Sequence, residues 1–220
     1  MKRIIPAALL VVMALLLCGC SIFYTAYDNA LPDTLARGVI AQGVYTSDYA
    51  GLSFTAPEGW TFTTDEELAD LMDMSADAMS DAGMEFSEDA LKKQVLYDMQ
   101  AKDPYTGANV LLLYENLALT GNTGISETKY LETTIKQLKD ADVYAYAFGE
   151  ITETQLCGQT YQMVQADMTD YGMTQYYYAR KVGKYMLCTI ISLPSAGDVS
   201  DITGCFAAYA PDTSDTAQSS

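Results

Sequence analysis

Gln175-Tyr176-Tyr177-Tyr178-Ala179-Arg180-Lys181-Val182-Gly183-Lys184-Tyr185-Met186-Leu187-Cys188-Thr189-Ile190 is the stretch on which the fold turns. Two runs of tyrosine and aliphatic residues meet at Gly183, the pattern of two strands joined by a tight turn. The same pattern repeats outward in both directions. Residues 143–157 end at Gly158, residues 159–169 at Gly172, residues 173–182 at Gly183 and residues 184–193 at Pro194. Glycine at each hinge and short spacing predict an antiparallel meander. The tyrosines here (Tyr161, Tyr171, Tyr176, Tyr177, Tyr178 and Tyr185) suit a half-buried sheet, because tyrosine has high strand propensity. An aromatic ligand-binding platform is the sharper alternative.

Upstream, residues 44–46 and 52–55 read as strand pieces joined by a turn over residues 47–51. Pro57-Glu58-Gly59-Trp60 is a turn followed by an apolar anchor. Thr64 and Glu67 form a capping-box pattern for a helix with Leu68, Leu71, Met72 and Met79 on its inner face. Asp70, Asp73, Asp77 and Asp81 lie away from that stripe. They read as a solvated face, since the spacing is not that of a calcium loop. Residues 95–101 and 109–117 form a hairpin around Asp103-Pro104-Tyr105-Thr106-Gly107, and the second strand is apolar on both faces, as a central strand is. Ser126 caps a helix with Leu131, Ile135 and Leu138 on one face. A last helix is predicted from Gly197 through Tyr209.

The N-terminus carries a different signal. Lys2 and Arg3 precede an apolar run over residues 4–17, followed by Leu17-Cys18-Gly19-Cys20. Basic start, apolar run and small residues make a secretory signal. The end of it resembles a bacterial lipobox, with Leu17 at −3, Gly19 at −1 and Cys20 as the lipidated residue. The resemblance implies cleavage between Gly19 and Cys20, a diacylglycerol thioether on Cys20, and attachment to the outer side of the cytoplasmic membrane. Two or more acyl chains, at about 0.8 kcal/mol per buried methylene, form a stable anchor. The expected organisation is a signal over 1–19, a lipidated tether over 20–42 with a short helix around residues 32–40, a folded domain over 43–209 and a disordered tail over 210–220.

The 220 residues carry a formal charge of −17. Loss of residues 1–19 removes two positive charges and makes it −19. Such acidity argues against a nucleic-acid partner, which demands clustered Lys and Arg. There is no histidine, so Ser-His-Asp triads, Cys-His pairs and His-ligated zinc are excluded. Cys157, Cys188 and Cys205 are three, and none is at metal-ligand spacing. One disulfide with a free thiol and three free thiols both remain open. No metal or cofactor is expected. Acid–base chemistry would fall to carboxylates, and Glu115, Glu150, Asp167 and Asp170 lie on or beside predicted strands.

Gly51-Leu52-Ser53-Phe54-Thr55-Ala56-Pro57-Glu58-Gly59-Trp60, followed by helix, meander and the tyrosine-rich hairpin, is similar to the PsbP/Mog1-like group. The similarity is to the lipid-anchored members found in Gram-positive gut bacteria and covers roughly residues 43–209. It implies an α+β fold, a central antiparallel sheet with helices on both faces (an α/β/α sandwich). It carries over no catalytic residue, since the group is known mostly for binding and assembly. The expected function is a non-enzymatic, lipid-anchored extracytoplasmic domain with an envelope protein partner. A small-molecule or cation carrier and a carboxylate-dependent hydrolase are the alternatives.

Overall fold

The computed structural model describes residues 35–71, 94–141 and 144–210. It holds two antiparallel sheets. The large one contains β4 (Thr61–Phe62), β5 (Val95–Lys102), β6 (Asn109–Asn116), β7 (Ala147–Phe148), β8 (Thr152–Leu156), β9 (Gln159–Met168), β10 (Met173–Val182) and β11 (Tyr185–Pro194). Its order is β4-β5-β6-β11-β10-β9-β7, with β8 pairing further along β9. The small sheet runs β1 (Val39–Ala41), β2 (Val44–Ser47), β3 (Leu52–Thr55) and β12 (Phe206–Ala208).

The central hairpin is the one the sequence predicts. Val182 pairs with Tyr185, so Gly183 and Lys184 are the whole turn. Gly183 has φ +58, a conformation that glycine adopts without penalty and that lets the flanking strands keep their twist. Alternation then sends Tyr177 and Ala179 to one face and Tyr176 and Tyr178 to the other. The stretch 143–157 is not one strand. Phe148 pairs with Ala166 and Thr152 with Met163, so four steps on one chain oppose three on β9. The extra residue is a bulge that divides β7 from β8.

On one face lies α1 (residues 65–71) and α2 (Glu127–Ala141). The capping box forms as read: the Thr64 N–H donates to Glu67 Oε2 at 2.8 Å and the Glu67 N–H to Thr64 Oγ1 at 3.3 Å. Ser126 Oγ accepts from the Lys129 N–H at 3.2 Å. Leu68, Leu71, Tyr130, Leu131 and Leu138 meet Leu111, Leu113, Tyr177 and Ile190 of the sheet in one core. The other face is covered by the small sheet, whose Tyr45, Leu52, Phe54 and Phe206 pack on Leu112, Tyr114, Leu187 and Ile191. Trp60 packs against this second core, as its turn predicts.

The expected sandwich with helices on both faces is therefore corrected. Among the described residues the layers are small sheet, large sheet and helices. Two misread segments account for it. The last helix, α3 (Val199–Thr203), stops after five residues at Gly204, and the chain turns into β12, where Phe206 pairs with Phe54. The stretch read as a short helix around 32–40 contributes Val39 and Ile40 to β1, paired with Thr46 and Tyr45. Packed structure thus extends upstream of Gly43.

Candidate functional site: two buried carboxylates on opposite faces of the sheet

Glu115 faces the helices, because β6 alternates Leu111, Leu113 and Glu115 toward α2 and Val110, Leu112 and Tyr114 toward the small sheet. Its side chain is fully buried. The Tyr130 hydroxyl of α2 donates to Oε2 at 2.8 Å, and Gln94 Nε2 donates to Oε1 at 3.2 Å. The Cys188 thiol, on the neighbouring β11, donates to the Tyr130 oxygen at 3.4 Å. A chain of donors thus runs Cys188, Tyr130, Glu115. Burial pushes the Glu115 carboxyl up to about 7, against the pull of Tyr130 and Gln94. Burial likewise pushes the Cys188 thiol far up, so it acts as a neutral donor rather than a nucleophile.

Asp98 serves the opposite face. Tyr97 pairs with Leu113 and Met99 with Leu112, so Asp98 is the extra residue of a bulge and shares the small-sheet side with Met99. The Tyr45 hydroxyl donates to its Oδ2 in a short bond. The Gly38 N–H reaches both carboxylate oxygens, at 3.0 and 3.2 Å. Arg37 Nε lies 3.5 Å from Oδ1, and its Nη2 donates to the Asp98 carbonyl at 3.2 Å. The same guanidinium pairs with Asp65 in the first turn of α1 at 2.9 Å. Burial raises the Asp98 carboxyl above its ordinary value, although Tyr45, Gly38 and Arg37 all favour the ionised form. Gly38 is required by contact: a Cβ there would sit 2.2 Å from a ring carbon of Tyr45. Asp98 fastens the incoming chain, Arg37 and Gly38, to the large sheet.

The remaining carboxylates do not join either group. Asp167 is half-buried and accepts from Thr174 at 2.9 Å and Gln165 at 3.0 Å. Glu150 and Asp170 are exposed. Met186 pairs with both Glu115 and Lys181, whereas Asp167 pairs with Thr174, seven residues away along β10. At about 3.4 Å per residue and about 4.8 Å per strand, Glu115 and Asp167 are more than about 20 Å apart. These two cannot act on one bond.

The tyrosines are core more than platform. Tyr161, Tyr177, Tyr178 and Tyr185 are buried, Tyr176 is half-buried and Tyr171 is exposed. Cys157, Cys188 and Cys205 are free thiols. Cys20, Gly19, Asp73, Asp77, Asp81, Met72 and Met79 lie outside the described residues. No metal-holding cluster of His, Cys, Asp and Glu occurs among the described residues. Asp98 and its partners escaped the sequence reading. The signal present was a charge inside the largely apolar run Val95-Leu96-Tyr97-Asp98-Met99, where a strict alternation fails.

No family model and no curated protein matches the chain. Among solved structures it is similar to the cyanobacterial PsbP (CyanoP) of Synechocystis sp. PCC 6803. That alignment has 13% identity and a TM-score of 0.44, over 83% of this chain and 99% of that one. It is also similar to a protein of Bacteroides thetaiotaomicron VPI-5482, with 12% identity and a TM-score of 0.28, over 80% of this chain. This chain spans 49% of the Bacteroides protein.

Proposed function

We propose that this protein is a lipid-anchored, extracytoplasmic binding or assembly domain without catalytic activity. The observation that carries the reading is Leu17-Cys18-Gly19-Cys20 placed directly after a basic start and an apolar run. Cys20 receives the lipid, residues 1–19 are removed, and the domain faces away from the cytoplasm on the membrane surface. Among the described residues no helix is long and apolar enough to cross a membrane. The separation of Glu115 from Asp167 weighs against the carboxylate-pair hydrolase. The two buried carboxylates instead bond to groups of the fold itself, Asp98 to the incoming chain and Glu115 to α2 and Gln94. A domain built this way presents its surface to an envelope protein partner, with no nucleic acid and no cofactor involved.

The test is expression of wild-type and Cys20→Ala protein in the native cells, with detergent-phase partition and in-cell crosslinking. The wild type partitions with detergent and captures a discrete envelope protein. Cys20→Ala moves to the aqueous phase and loses that capture. A Cys20→Ala protein that still sediments with membranes removes the anchoring reading.

A further inference from the structure

Arg37, Lys102, Lys129 and Lys136 each pair with a carboxylate. Arg180 does not: it is half-buried, yet among the described residues no carboxylate pairs with it. Acidic side chains outnumber basic ones by 29 to 12, so a shortage of anions is not the cause. Its place is the seam where the small sheet meets the large one. Gln162 pairs with Ala179, so Tyr161 and Arg180, the next residues outward on β9 and β10, stand side by side on the small-sheet face. The turn between β2 and β3 supplies the Ala50 carbonyl, which accepts from Arg180 Nη2 in a short bond. The start of β9 supplies Gln159, whose Oε1 accepts from Nη1 at 3.4 Å. The Tyr161 ring lies against the guanidinium, with its centroid 5.3 Å from Cζ.

These contacts leave donors over. A guanidinium carries five N–H groups, and the two hydrogen bonds engage one each. Nε is shut off from solvent and has no partner. Tyr161 is 1% exposed, and its hydroxyl has no partner either. Burial raises that hydroxyl and the Arg180 charge pulls it back down, so the oxygen feels the guanidinium without being bonded to it. An unpartnered buried hydroxyl and a half-buried charge without a counter-charge are both costly. The cation–π contact offsets only part of that. One group satisfies both at once, an anion that accepts from the guanidinium and from the hydroxyl. A planar carboxylate matches the guanidinium fork and carries the single charge that one cation balances. A phosphate dianion is a poorer match, because the surrounding chain is strongly acidic.

We propose that Arg180, with the Tyr161 hydroxyl beside it, is a binding site for a carboxylate group at the seam between the two sheets. This goes beyond the binding reading and does not depend on the anchor. Two sources offer such a group: a molecule from outside, or Asp212 and Asp215 of this chain. The Tyr209 N–H donates to the Gly51 carbonyl at 3.0 Å, so the chain passes next to Ala50 three residues before Asp212, and three residues span up to about 10 Å.

The probe is sodium acetate, titrated into the full chain and followed by NMR at the Arg180 Nε–H and the amides of Ala50, Gly51 and residues 157–159. Sodium chloride at the same ionic strength is the control. The titration is run on the wild type and on an Asp212→Asn/Asp215→Asn double variant. Acetate is expected to move these signals to a plateau below about 100 mM, a weak affinity for a single ion pair. A plateau of equal affinity in both proteins makes the source external. A plateau found only in the double variant, or several-fold tighter there, makes the chain's own carboxylates the source. No plateau in either protein, or an equal response to chloride, overturns the proposal. Tyr161→Phe keeps the ring and removes one donor, so acetate should bind about 5-fold more weakly. Arg180→Lys keeps the charge without the fork and should lose the plateau. Unchanged acetate affinity in both variants also overturns the proposal.

Discussion

Asp98→Ala is the substitution that should damage this fold most for its size. It takes away the acceptor of the buried Tyr45 hydroxyl and of the half-buried Gly38 N–H. Each buried donor left without a partner costs about 1–3 kcal/mol. Arg37 adds little, because its side chain is 39% exposed and its charge returns to water. One effect works the other way. Burial makes the Asp98 carboxylate expensive to ionise, so its removal relieves part of that penalty. The net expectation is a loss of about 2–4 kcal/mol, a large share of the roughly 5–15 kcal/mol that holds a domain together. Urea unfolding followed through Trp60, the lone tryptophan, measures it at constant pH. Asp98→Asn keeps one acceptor oxygen and should lose about half as much. A loss below about 0.5 kcal/mol for Asp98→Ala would refute the reasoning, since it would mean that Tyr45 and Gly38 find other partners at no cost.

Gly38→Ala drives a methyl carbon to 2.2 Å from the Tyr45 ring, so the ring must shift and its bond to Asp98 goes with it. We expect about 1–3 kcal/mol of destabilisation by the same unfolding assay, and non-additivity with Asp98→Ala, because both act through one contact. In residues 21–220, alkylation followed by mass spectrometry should label Cys157 and Cys205, which are half-buried, slowly in the folded protein. Cys188 should react only on unfolding, and equal labelling of all three in the native state would contradict its burial.

What could be read from residue order was whatever is decided within a few positions. The Gly183 turn, the Thr64–Glu67 cap and the Ser126 cap are local chemistry, and each forms where the letters place it. The errors are non-local. Phe206 belongs to a strand only because Phe54, far earlier in the chain, offers it an edge. Its neighbours Val199–Thr203 do form the start of the predicted last helix, with Asp198 as its cap. Residues 39–41 look like the end of a tether until Asp98, some sixty positions on, bonds to Gly38. The layer error follows from these two segments, because both join the small sheet that takes the place of a second helical face. Of the candidate site, Glu115 was visible as a carboxylate on a strand. Its partners Tyr130, Gln94 and Cys188 come from three other elements, and no spacing in the sequence brings them together.

The fastening of Arg37 and Gly38 has a mechanical consequence. A pull arriving along the chain from its N-terminal side is not transmitted first to the three-residue β1, which would peel away from β2 one pair at a time. It meets the Asp98 bulge, in a strand paired with β6 on both sides of that bulge, and spreads into the large sheet as shear. The same guanidinium holds Asp65 at the head of α1, so one residue shares that load between both layers of the core.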